Sequence, residues 1–229
     1  MLDRFEEYKE FVTKITNIYP IMRTEQMKMM ISRCFGQSID STDEVLFAMK
    51  TSSILILSVD GWCMSLGEYR KLTGDYFLTK CSSEDDEYRR APEVEGKLKY
   101  INRDVVDSLW LVADMMPKSE NFILTNPPWT ISFCTKAEAN KSPLLYQITV
   151  IRKGEEYIKS EMLKTLPKIT NDHIKESIRR IAILEDDSYA FMIPKVGFSH
   201  IVCIDEKTPS KYKIVEKRTN VVDRWNDED

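Results

Sequence analysis

The sequence predicts a mixed α+β protein in two parts, and three observations predict it. Between Thr24 and Leu66 two short apolar-striped segments are followed at once by an apolar hairpin. A charged stretch, Cys81 to Lys99, interrupts the hydrophobic patterning. Beyond it, helical and strand-like periodicities alternate, which is the pattern of a mixed sheet covered by helices.

The first helix is expected over Leu2 to Tyr19, where Leu2, Phe5, Tyr8, Phe11, Val12, Ile15 and Ile18 recur at three- and four-residue steps and Pro20 stops the run. A second starts at Thr24 and should bury Met27, Met30, Ile31, Cys34 and Phe35, leaving Met29 on the opposite side as a partner contact. A third opens with the pair Ser41 and Glu44, a capping box, before Val45, Leu46, Ala48 and Met49. Ile54 to Val59 and Trp62 to Leu66 then flank Asp60-Gly61, a pair suited to a type I′ turn. This order is that of a winged helix-turn-helix. Tyr69, Leu72, Tyr76, Phe77 and Leu78 are expected to pack a further short element onto it.

The chain is expected to divide into four segments. Residues 1–80 form the winged helix, 81–100 a charged linker, 101–220 an α/β domain, and 221–229 an acidic tail. Within the α/β part, a helix runs from Asn102 or Arg103 through Met116 and ends at Pro117. Its wide apolar arc predicts burial. Strands are expected at Asn121 to Thr125, Trp129 to Thr135 and Leu144 to Arg152, then helices at Glu155 to Leu166 and Asp172 to Ser177. Four more strands should follow, at Arg180 to Glu185, Tyr189 to Ile193, His200 to Asp205 and Tyr212 to Glu216.

Composition narrows the function. The chain has 229 residues with 33 Lys+Arg against 37 Asp+Glu, a formal charge of −4, which disfavours a purely electrostatic nucleic-acid binder. Five cysteines, an odd number without a CxxC pair, read as reduced cytosolic thiols. With only His173 and His200, no Cys/His set has zinc spacing. No apolar run approaches the ~18 residues of a membrane span. A cytoplasmic protein without cofactor is expected.

Several motifs together resemble a known family. Arg23-Thr24-Glu25-Gln26, Leu109-Trp110-Leu111-Val112, Trp129-Thr130-Ile131-Ser132-Phe133, Gly154-Glu155-Glu156 and Arg179-Arg180-Ile181-Ala182-Ile183-Leu184 are similar to those of uncharacterised bacterial mobile-element proteins related to replication-relaxation proteins. That resemblance implies a winged helix joined to a domain of degenerate restriction-endonuclease-like topology. It supplies no catalytic residues.

An endonuclease of this topology holds Mg²⁺ with carboxylates on two adjacent strands. Here the strands from Trp129 and Leu144 offer Thr130, Ser132, Thr135, Gln147 and Thr149 instead. Glu95-Gly96-Lys97 reads as solvated linker, whereas Asp187, Asp205 and Lys207 could converge at one sheet edge as a residual metal site. Neither histidine stands in a nucleophile elbow, and no Gly-rich loop precedes a helix. The expected role is therefore a non-catalytic accessory DNA-binding or regulatory protein, with a protein–protein adaptor and a Mg²⁺-dependent nuclease as alternatives. DNA contacts are expected from Arg23, Lys28, Arg33, Ser41, Thr42, Lys50, Arg70 and Lys71, although Asp40, Asp43 and Glu44 put negative charge on the helix that would enter the groove.

Overall fold

The structure, a computed structural model, describes residues 4–73, 102–137, 142–164, 177–193 and 198–217. The expected linker 81–100, the tail 221–229, Tyr76 to Leu78, His173 and nearly all of the short helix expected from Asp172 lie outside the described residues. The fold is mixed α+β, and the chain divides into two compact units, Met1–Leu109 and Trp110–Asp229.

In the first unit the order is α1 (Phe5–Ile18), β1 (Ile21–Arg23), α2 (Thr24–Phe35), α3 (Ile39–Thr51), β2 (Leu55–Leu57), β3 (Trp62–Ser65) and α4 (Leu66–Thr73). The strands form one antiparallel sheet in the order β1-β3-β2, with Met22 opposite Cys63 and Ile56 opposite Met64. Tyr8, Tyr19, Met22, Met27, Met30, Ile31, Leu46, Met49, Leu55 and Met64 fill the core. Gly36, at φ 67°, ends α2 in the left-handed conformation that glycine adopts without a Cβ penalty, and its N–H bonds Ser32 O. Gln26 is wholly buried because it joins two elements: its Oε1 accepts from Arg23 N–H (2.9 Å) and its Nε2 donates to Val106 O (2.6 Å).

Four expectations for this unit are corrected. The cap of α3 is Ser38, whose side chain accepts from Ser41 N–H (3.2 Å), so the helix begins at Ile39 and Ser41 already lies inside it. Starting there brings Thr42, Val45, Leu46 and Met49 onto one buried face. The hairpin turns through three residues, Val59, Asp60 and Gly61, rather than two. Ser58 N–H bonds Trp62 O (2.9 Å), Gly61 N–H bonds Ser58 O (3.2 Å), and only Gly61 takes positive φ. Leu66 starts α4 instead of ending the hairpin, and Tyr69 of α4 is buried. Finally, Met29 is 5% exposed. The buried residues of α2 include Gln26, Met27, Met29, Met30 and Ile31, an arc of roughly 200° at the α-helical repeat. The helix is thus covered on both flanks, while Cys34 and Phe35 near its end are only half-buried.

The second unit is organised by a six-stranded sheet, β4 (Ser119–Leu124), β5 (Ile131–Thr135), β6 (Leu145–Ile151), β7 (Ile178–Leu184), β8 (His200–Ile204) and β9 (Tyr212–Lys217), in that spatial order. The pairs β4–β5, β5–β6 and β8–β9 are antiparallel, and β6–β7 and β7–β8 are parallel. Helix α5 (Arg103–Met115) precedes the sheet, and α6 (Glu156–Lys164) lies in the connection from β6 to β7 that parallel pairing demands. The boundary between the units falls within α5, whose Leu111, Val112 and Ala113 are buried. Tyr212 Oη donates to Asp114 Oδ2 (2.9 Å), tying β9 to that helix. Phe133 stacks between Phe122 and Tyr146 across the antiparallel strands.

One expected strand is absent. Tyr189 to Met192 belong to a 3₁₀ segment, Asp187–Met192, capped by Ile193, because both its start and its first large side chain are anchored. Asp186 Oδ1 accepts from Ser188 N–H (2.7 Å), and buried Tyr189 donates to Ile151 O (2.9 Å) while accepting from Glu185 N–H (3.0 Å). Tyr189 and Ile193 then join Trp129, Ile151, Ala182, Leu184, Phe198 and Ile201 in one apolar cluster.

Candidate functional site

Two surfaces carry the chemistry, one in each unit. On α3, burying Thr42, Val45, Leu46 and Met49 forces other residues outward. Val45 to Met49 are five consecutive apolar residues, and 100° steps cannot turn them all to one side. Phe47 is the one expelled, 46% exposed. Asp40, Asp43, Glu44 and Phe47 fall within a stripe of roughly 100°, bordered by exposed Ile39. The outer face of α3 is acidic around an aromatic ring.

The residues expected to meet DNA lie on β1, α2, α3 and α4. Thr42 is fully buried and donates to Ile39 O (2.5 Å), so its hydroxyl is withdrawn from any ligand. Ser41 is exposed, its Oγ 2.7 Å from Ser38 Oγ. Lys28 Nζ reaches Glu25 Oε1 (3.0 Å) and Asp43 Oδ1 (2.9 Å), joining α2 to α3. Burial works against its charge, but the hydrogen bonds to Asp43 and Glu25 outweigh that and hold the ammonium above the ordinary lysine range. Arg23 lies over the Trp62 ring at 3.9 Å and donates to Asp60 O (3.4 Å). Arg33 is exposed, Lys50 half-buried in the last turn of α3, and Arg70 half-buried on α4. Lys71 pairs with Glu68 at 3.1 Å. These cations are spread over β1, α2, α3 and α4, and Lys28 and Lys71 are engaged by carboxylates.

In the second unit the paired strands bring Ser132 opposite Gln147, and Gln147 opposite Arg180. Arg180 Nε donates to Gln147 Oε1 (3.1 Å), and its guanidinium lies 5.0 Å from the centre of the Trp129 ring. Burial alone lowers Arg180 to about 10. Thr149 is buried and donates to Pro128 O (2.6 Å). Arg180 was invisible as a site residue in the sequence because its neighbour β6 is 33 residues away through a helical crossover.

Asp187, Asp205 and Lys207 lie around the ends of β7 and β8. Asp187 Oδ2 is paired with Lys213 Nζ (2.7 Å), while Asp205 Oδ1 accepts from Lys207 N–H (3.1 Å) within a turn. Burial, and then the charges of Asp187, Asp186 and Asp205, push the Cys203 thiol up against the opposing effect of Lys213. Among the described residues no three His, Cys, Asp or Glu side chains are placed to hold a metal ion. Nor is any helix among them long and apolar enough to cross a membrane. Comparison with protein-family models, with curated proteins and with solved structures finds no match for this chain.

Proposed function

We propose that this chain is a non-catalytic regulatory protein of the kind carried on bacterial mobile elements, in which a winged helix docks a protein partner through α3. The order α1-β1-α2-α3-β2-β3, with strands arranged β1-β3-β2, supports the winged-helix reading. The order α5, antiparallel β4 to β6, α6, then β7 parallel to β6 supports a degenerate endonuclease-like second domain. Ser132, Gln147 and Thr149 stand on its paired strands where Mg²⁺ would need carboxylates.

The carrying observation is the outer face of α3. Asp40 and Glu44 repel phosphate in the groove where a recognition helix would lie, whereas exposed Phe47 and Ile39 gain by leaving water. A partner that sets basic side chains around an apolar cleft fits that face. A photo-cross-linking residue placed at Phe47 in cells tests it: one discrete protein adduct is expected, lost on Glu44→Lys. Cross-linking that is unaffected by Glu44→Lys would overturn the docking reading.

The second reading is DNA binding, favoured by the exposed Arg33 on α2 and by Arg70 and Lys71 on α4 directly after the hairpin. It predicts binding to duplex DNA whose log-log salt slope falls by up to about two units when Arg70 and Lys71 are both replaced by Ala. Under the docking reading, fluorescence anisotropy shows no such salt-dependent binding.

A further inference from the structure

We propose that the six-stranded sheet carries an oxyanion site, for a phosphate group, along the row Ser132, Gln147 and Arg180. The inference does not depend on how α3 is used. These residues stand at one register level on three adjacent strands, β5, β6 and β7, and residues paired in that way project from the same face. The row is held in place. Trp129 lies against the guanidinium, and the Nε bond to Gln147 Oε1 fixes its plane.

Each member of the row is a donor. With its oxygen taken by Arg180, the Gln147 amide presents its NH₂ group, and because this side chain is half-buried the row reaches solvent there. Ser132 Oγ is buried without a hydrogen-bond partner, on a residue only 4% exposed. A buried hydroxyl in that state costs free energy that an acceptor would recover. Neither Ser132 nor its register partners is a carboxylate, so the row disfavours a divalent cation and suits a small group that accepts from an arginine, an amide and a hydroxyl at once. A tetrahedral phosphate oxyanion has that valence. A water molecule would satisfy Ser132 but would show no preference for phosphate.

Thermal unfolding of the full chain, in inorganic phosphate and in chloride at matched ionic strength, tests the site. Phosphate is expected to raise the melting temperature along a saturating curve that chloride does not reproduce. Ser132→Ala should weaken the midpoint of that curve roughly tenfold. Gln147→Glu supplies an internal carboxylate to Arg180, so it should melt no lower than wild type in chloride while losing the phosphate response. Arg180→Gln should lose the phosphate response too, and Gln147→Glu keeps the test decisive if Arg180→Gln does not fold. Thymidine monophosphate and a thymidine dinucleotide, run beside inorganic phosphate, separate a free anion from an ester and a diester. Equal melting in phosphate and chloride would overturn the proposal. So would a phosphate response left intact by Gln147→Glu and Ser132→Ala, the mark of an adventitious ion only.

Discussion

Ser38 and Ser41 differ by three positions and occupy opposite sides of a helix boundary. Ser38 receives an N–H that has no intrahelical acceptor, whereas Ser41 sits within the first turn with its hydroxyl against Ser38 Oγ. Ser38→Ala should therefore destabilise the fold by about 1 kcal/mol in denaturant unfolding, and Ser41→Ala by clearly less. Met29→Asp is expected to unfold the first unit rather than to remove an outer contact, because a carboxylate at a buried position must either be desolvated or break the packing. Far-UV circular dichroism of the purified variant checks this. His200 gives a pH signature. Burial first, then Lys217 and Arg179, depress its proton affinity in the folded state below the ordinary histidine value of 6.5. Below that value the unfolded chain binds the proton more readily, so stability falls as pH drops from 6.5 toward the depressed folded value and is fully retained above 6.5. Replacing His200 by Gln should flatten the stability profile in that window, as measured by unfolding at a series of pH values.

At the level of elements, legibility followed local cause. Helix α5 could be read to within a residue, since an apolar arc from Val105 to Met116 ends against Pro117. Strand β1 could not be read, because its three residues carry no alternation and are extended only by pairing with β3, about forty residues later in the chain. The segment after β7 misled for the opposite reason. Tyr189, Phe191 and Ile193 alternate as a strand would, yet Phe191 is 85% exposed and the backbone is turned by the bonds of Asp186 and Tyr189. That anchoring makes a prediction. Tyr189→Phe keeps the ring in its apolar cluster but strips the hydroxyl from Ile151 O and Glu185 N–H, and a loss of about 1–2 kcal/mol in equilibrium unfolding is expected. The α3 face was half legible: the acidic residues stood in plain view, but the outward turn of Phe47 depended on a helix start set by Ser38.

For the whole molecule, the mixed α+β class was readable because hydrophobic period survives without knowledge of contacts, while the sheet row of Ser132, Gln147 and Arg180 required the register of two strand pairs. The six strands of the second unit are ordered in space as they are in the chain. Each strand from β5 onward therefore pairs with the strand made just before it. That order needs no vacant slot between two earlier strands for a later one to fill. In the first unit β1 and β2 are both made before β3, the strand that lies between them. The small sheet therefore cannot close until β3 has been made, whereas every strand of the large one has its preceding partner already made.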